Sequence, residues 1–358
     1  MCKTTILSAA AAVGALLASP LTAQAGLIGY TFTEIEAPGS IITSPLAINN
    51  LGQIVGTYVD GAGNGHGFLE KGGKYVNVDV AGALFTAPQG INDLGQIVGI
   101  DLDNAFNIDG FLDTRGTFAT LNTSGSASGF SFSGPLSIND NGKVLWQVSN
   151  SSGLPGSTHA ALEERRVFTL IDVPGAVGDT APGGQNNFGQ IVGSYGVSAS
   201  GGYKHGFLDT NGVFTTIDDP NAGPGGYTNA SGINDWGQVV GMYCDSAGAC
   251  HGFLDTNGHF TTIDAPGSSG GTLVTGVNDE DQLLEFYSDA AGNSHAFLAT
   301  PHLALFSSTA ATSLDAVPEA STWAMLIIGF AGLGFACFRK QTGRAITPIL
   351  YRGEGRRP

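Results

Sequence analysis

Apolar residues along this chain fall into two regimes. Between about residue 26 and residue 300 they come in short β-branched or aromatic runs such as Ile54-Val55, Phe68-Leu69 and Val239-Val240. Asn, Asp, Gly or Pro cuts each run off within a few residues, and short runs bounded by turn residues read as strands rather than helices. At the two ends the pattern changes to long uncharged stretches, Ile6 to Leu17 and Trp323 to Phe338.

The short runs recur. Their anchor is Asn49-Asn50-Leu51-Gly52-Gln53, with relatives beginning at Asn92, Asn139, Asn186, Asn234 and Asn278, spaced 43, 47, 47, 48 and 44 residues apart. A β-branched stretch follows each anchor. After it stands a His-Gly-Phe-Leu element, complete at His66, His205 and His251 and altered at Asp109, His159 and His295. Phe-Thr-Thr-Ile-Asp or a relative closes the repeat, at Tyr75, Phe118, Phe168, Phe214 and Phe260, and one extra copy stands at Phe32.

Asn-Asp-x-Gly is turn chemistry, the Asx side chain bonding its own backbone while Gly takes positive φ. A Tyr-x-Asp-x-x-Gly turn precedes most of the histidines, and Asn211-Gly212 and Asn257-Gly258 suit tight hairpins. Three turns joining four short strands predict an antiparallel meander, and a period of 43 to 48 residues matches a propeller blade. The expected fold is therefore all-β, a six-bladed β-propeller-like body with four strands per repeat. Phe32 to Glu36 would be a fourth strand that pairs with the last repeat and closes the ring; Leu303 to Phe306 is the weaker candidate for that place. An open stack of sheets is the alternative.

The copies resemble the HAF family of extracellular repeats over residues 30 to 299, the His-Ala-Phe element standing at His295 to Phe297. The resemblance implies an exported protein and carries no catalytic residues.

The ends of the chain specify sorting. Lys3, the apolar run and Ala23-Gln24-Ala25 describe a signal peptide, residues 1–25, cleaved before Gly26. After a Ser/Thr/Ala-rich stalk, 301–316, comes Val317-Pro318-Glu319, then the uncharged span 323–338 and the pair Arg339-Lys340. Sixteen helical residues cover about 24 Å, somewhat short of a ~30 Å hydrocarbon core, with Trp323 and the basic pair suited to the two interfaces. Residues 317–340 closely resemble the PEP-CTERM sorting signal, with Ala320 in place of the family's second Pro and a basic tail, 341–358, beyond it. That resemblance implies a C-terminal transmembrane helix, an exosortase-type membrane protease as partner, and the envelope or surface of a Gram-negative bacterium that makes exopolysaccharide.

Charge narrows the partners. Residues 26 to 316 hold 28 acidic against seven basic residues, which repels nucleic acid and anionic headgroups. Cys244 and Cys250 flank a short turn and, after export, suit a disulfide better than a metal site. The recurrent His66, His159, His205, His251 and His295, with Asp109 in the second copy, would bind a metal or anion only if they converged on the axis. Hydrogen bonding within each blade is the preferred reading, and no cofactor is expected.

Gly267 to Gly271 matches G-x-S-x-G in form but sits in a Gly/Ser linker, and the acidic string Asp101 to Gly110 lacks the residues of an EF-hand loop. The third copy departs most, with Trp146, Glu163, Glu164, Arg165 and Arg166. The expected function is non-enzymatic binding of polysaccharide or surface partners. An exported glycan lyase or hydrolase is the alternative, requiring convergent acid and base groups in one departing blade.

Overall fold

The computed structural model describes residues 28–121, 132–150, 158–197, 204–223, 226–269, 271–291 and 293–303. The expected signal peptide, the stalk beyond Leu303, the sorting segment with its span, and the basic tail lie outside them. Among the described residues no helix is long and apolar enough to cross a membrane.

These residues form 24 strands, four to a repeat. In the first repeat Ser40–Ile48, Ile54–Asp60, Gly65–Lys71 and Lys74–Asn77 pair consecutively and antiparallel. The turn between the first two is the anchor: Asn49 Oδ1 accepts from the N–H groups of Leu51 (3.1 Å) and Gln53 (2.9 Å). The chain then needs a left-handed residue, which Gly52 supplies at φ 68°; Asp281 takes the same conformation, φ 57°, in the last repeat.

Hydrogen bonding groups the strands into four separate four-stranded sheets and one eight-stranded sheet of an all-β propeller. The large sheet is the fourth and fifth repeats, joined where Lys204 meets Tyr227 in a single parallel pair. Six separate blades were expected; the structure has four separate four-stranded sheets, and the fourth and fifth repeats share the eight-stranded one.

The N-terminal strand Ile28–Glu34 lies antiparallel to Ser294–Leu303, from Ile28 opposite Leu303 to Glu34 opposite Phe297. It begins four residues before the expected Phe32. Leu303 ends the third strand of the last repeat instead of starting a fourth, because the chain's own beginning already occupies that edge. Capturing the edge removes an open row of backbone donors and acceptors.

The core lies between sheets. Second strands bury both faces: Val55 packs toward Ile91, Ile97 and Phe111 of the next repeat, while Ile54 packs with Leu284 and Ala296 of the last. First strands of successive repeats adjoin one another and line the axis.

A second ring runs around that axis through side chains. Asn49 Nδ2 donates to Asn92 O (3.0 Å), and the same bond runs from Asn92 to Asn139, Asn139 to Asn186, Asn186 to Asn234 and Asn234 to Asn278. Asn278 Nδ2 returns to Asn49 O (3.2 Å). One residue on, the N–H of Asn50 donates to Asp93 Oδ1, and the series continues through Asp140, Asn187, Asp235 and Asp279 back to Asn50. The repeats thus close.

Closure has a direct test. Asn278→Ala should cost about 2–4 kcal/mol in denaturant unfolding, since it strands the turn's N–H groups and the Asn49 carbonyl. Asn234→Ala should cost the same, because a ring has no privileged joint. A markedly smaller loss for Asn278→Ala would argue for an open stack.

Candidate functional site

Each repeat has two functional ends. Anchor turns and the hairpins between third and fourth strands lie at one end of the sheets; Tyr-x-Asp turns, histidines and Pro-Gly loops lie at the other.

At the second end each histidine is held by its own blade. His66 Nδ1 is 3.0 Å from Asp79, His159 2.9 Å from Asp172, His205 2.8 Å from Asp218 and His251 2.9 Å from Asp264. These carboxylates close the fourth strand, 13 residues downstream. Tyr58, Tyr243 and Tyr287 stack on His66, His251 and His295 at 5.0, 5.2 and 5.1 Å. His295 lies 3.4 Å from Glu34, on the N-terminal strand, and 3.2 Å from Asp289. The hydrogen bond to Asp79 raises the pKa of His66, and that to Asp289 raises the pKa of His295.

The conceivable axial ring of His66, Asp109, His159, His205, His251 and His295 is therefore not assembled, because these residues sit on third strands and first strands line the axis. Asp109 instead faces Asp101, whose pKa burial raises, with Asp109 and Asp103 adding to the shift. Among the described residues no group of three or more His, Cys, Asp or Glu is arranged to hold a metal.

Cys244 and Cys250 are bonded at 1.99 Å across paired strand ends, closing a turn in which Asp245 Oδ1 accepts from the N–H groups of Ala247 and Ala249. Asp103 caps the acidic loop in the same way, bonding the N–H groups of Ala105 and Asn107. Ser268, in the Gly/Ser loop, accepts from the Thr272 hydroxyl at 3.2 Å.

The axis itself is narrow. Ile48, Ile91, Ile138, Ile233 and Val277 converge there with Gln185, whose amide donates to the carbonyls of Ser137 (3.2 Å) and Lys143 (2.9 Å). Beside the Asn/Asp ring the cavity is only ≈ 70 Å³. Burial raises the pKa of Asp279, and the carboxylates of Asp235 and Asp93 add to that.

Two repeats break a packing rule that the others share. Gly56, Gly99, Gly193 and Gly241 lie under a neighbouring strand, where an added Cβ would stand 1.9–2.2 Å from a carbonyl oxygen. Opposite each glycine sits a fully buried Phe: Phe68, Phe111, Phe207 or Phe253. In the third repeat Trp146 takes the Gly place and Ala161 the Phe place, so the volumes are exchanged across the strand pair. The indole N–H donates to Glu163 Oε2 (3.0 Å), Lys143 pairs with Glu164 (3.1 Å), and Arg165 and Arg166 form the hairpin at φ 53° and 66°. The two carboxylates that marked this copy for catalysis are thus engaged locally.

In the last repeat Glu285 takes the Gly place. It is fully buried, and neither carboxylate oxygen has a hydrogen-bond partner. Phe297, opposite, is only half-buried and stacks on Tyr287 at 5.5 Å. Burial, then the charge of Asp264, pushes the Glu285 pKa up to about 8. Sequence reasoning passed over Glu285; the signal was Leu283-Leu284-Glu285 where three other copies read Ile-Val-Gly and a fourth Val-Val-Gly.

The remaining candidate is a pair of grooves at successive repeat boundaries. The groove between the third and fourth repeats has a volume of ≈ 370 Å³ and presents Phe188 beside Asp209 and Asn211. The next, ≈ 450 Å³, presents Trp236 beside Asp255 and Asn257, the equivalent residues one repeat on. Both aromatic rings are 71% exposed, at the anchor position that Leu51 and Leu94 occupy elsewhere. Asp209 and Asp255 each accept from a hairpin N–H, of Gly212 (2.6 Å) and Gly258 (2.7 Å). Asn211 and Asn257 were expected only as hairpin residues, and the other four were not singled out from the sequence.

No family model and no curated protein matches the chain. Among solved structures it is similar to the fucose-specific lectin from Aleuria aurantia, with TM-score 0.46 and 11% identity over 74% of this chain and 96% of that one. The SapL1 lectin in complex with alpha methyl fucoside gives 0.48 and 13%, over 74% and 97%. TolB from Acinetobacter baumannii gives 0.48 and 13%, over 70% and 64%. At such scores and identities the likeness carries no ligand or activity to this chain.

Glu285 sets a pH dependence. The folded acid keeps its proton up to about pH 8, whereas in the unfolded chain it ionises near the ordinary value of 4.5. The native state therefore binds more protons between those values, so stability should fall as pH rises from about 4.5 to about 8 and level off above. His66 and His295, both raised, add a loss above 6.5. Glu285→Gln should flatten the profile below that point while leaving the histidine component. Denaturant unfolding across this range checks it, and an unchanged slope would refute the role given to Glu285.

Proposed function

We propose that this chain is an exported, six-bladed propeller that binds polysaccharide without catalysis at the cell envelope of an exopolysaccharide-making Gram-negative bacterium. The six-blade reading rests on the closed ring of anchor turns and treats the eight-stranded sheet as two blades bridged at one pair. The observation that carries the binding reading is the repeat-related pair of grooves, each with an exposed aromatic face beside a carboxylate and an amide. Aromatic faces cover the C–H side of a sugar ring while carboxylate and amide groups bond its hydroxyls. Two equivalent weak sites on one rigid body favour a polymer over a monosaccharide.

Sorting rests on Val317-Pro318-Glu319, the span 323–338 and Arg339-Lys340, with an exosortase-type protease as the partner. Intact mass of the envelope-recovered protein checks it: residues 340 to 358 still present would count against processing.

Binding is tested on the full chain with a glycan array followed by titration. Trp236→Ala should weaken the best ligand about 10-fold, or about 1.4 kcal/mol, with an unchanged melting curve. Unaltered affinity in Trp236→Ala and Phe188→Ala alike would remove the grooves as the site.

A further inference from the structure

The groove between the fourth and fifth repeats has a sharper charge signature than the acidic chain as a whole. Its lining includes Asp235 and Asp255, with Gln190 and Asn257, and Asp218, which is paired with His205 at 2.8 Å; it contains neither Lys nor Arg. Trp236 is among the lining residues, its indole N–H bonded to Asp279 O of the next repeat at 3.1 Å. The preceding groove repeats the pattern with Asp209 and with Asp172, which is paired with His159 at 2.9 Å; its lysine, Lys143, is paired with Glu164 at 3.1 Å.

Carboxylates lining a concave surface focus negative potential into it, so an anionic sugar entering there meets repulsion. A protonated amine meets attraction, from the carboxylates and from the face of the indole alike. Hydroxyl recognition by Asn257 and the aspartates would serve any hexose. The sign of the charge is what discriminates.

We infer that these grooves select glycans bearing free amino groups, of the glucosamine kind, over their N-acetylated or uronate counterparts. This rests on the glycan-binding reading above and gives it a ligand class.

The test titrates the full chain, in mildly acid buffer where sugar amines are protonated, with three oligomers of equal length. They are a glucosamine oligomer, its fully N-acetylated counterpart, and oligogalacturonate. The glucosamine oligomer should bind at least about 10-fold tighter than the acetylated one, and oligogalacturonate should not bind. Added salt should erode that preference. Asp255→Asn keeps the side-chain oxygen that accepts from Gly258, so it should melt as the parent does while losing much of the preference.

Equal or tighter binding of the acetylated oligomer, or any binding of oligogalacturonate, overturns the amine selectivity and leaves glycan binding standing. Silence from all three oligomers overturns the amine selectivity, and the glycan reading falls with it only if the array is silent too.

Discussion

A single side chain, repeated, carries this architecture. Asn49 commits its amide oxygen to two N–H groups of its own turn and its amide nitrogen to the carbonyl of Asn92, one repeat away. The same residue therefore shapes a local turn and fixes the neighbouring blade at bonding distance. Because it is buried, losing either half leaves polar groups without partners in a site that water does not reach. The companion series through Asn50, Asp93, Asp140, Asn187, Asp235 and Asp279 adds backbone donors to the lattice. Asn187 stands between two carboxylates and donates to both Asp140 and Asp235, which moderates the repulsion among aspartates gathered at one axis.

With the ring fixed, individual blades have room to differ. The Gly-over-Phe pair is a volume rule, and the third repeat satisfies it in reverse with Trp146 over Ala161. The last repeat violates it with Glu285, and Phe297 moves outward as a result. That violation sits in the sheet that joins the first and last described strands, where Ile28–Glu34 also supplies Glu34 to His295. Closure and a dry carboxyl thus share one blade.

Variation at the anchor's third position works in the same way. Leu51, Leu94, Phe188 and Trp236 occupy equivalent, exposed places on an unchanged backbone. Only the two aromatic copies combine there with an Asp and an Asn from a hairpin of the Asn-Gly type. The scaffold supplies position, and a few side chains supply chemistry. The histidines belong to the scaffold: each meets a carboxylate on a neighbouring strand or strand end of its blade, and His66, His251 and His295 also meet the Asp of the preceding turn and stack on a tyrosine.

The strands, the anchor turns and the fourth-strand character of the segment at Phe32 were all legible in the sequence. Turn chemistry is local, acting over about four residues, and a period repeated six times averages away its exceptions. Other features required the tertiary structure. The acceptor of each Asn amide lies 43 to 48 residues away, and the closing one 229 away. That His205 would meet Asp218 depended on how the fourth strand registers against the third. Glu285 reads in sequence as one more acidic residue in an acidic chain, and only the strand packed over it makes it dry. Phe188 and Trp236 read as two apolar turn residues until the neighbouring repeat supplies the other wall of each groove. Local hydrogen bonding determined the elements of this protein, whereas burial and juxtaposition between repeats, which no single repeat contains, decided where its chemistry lies.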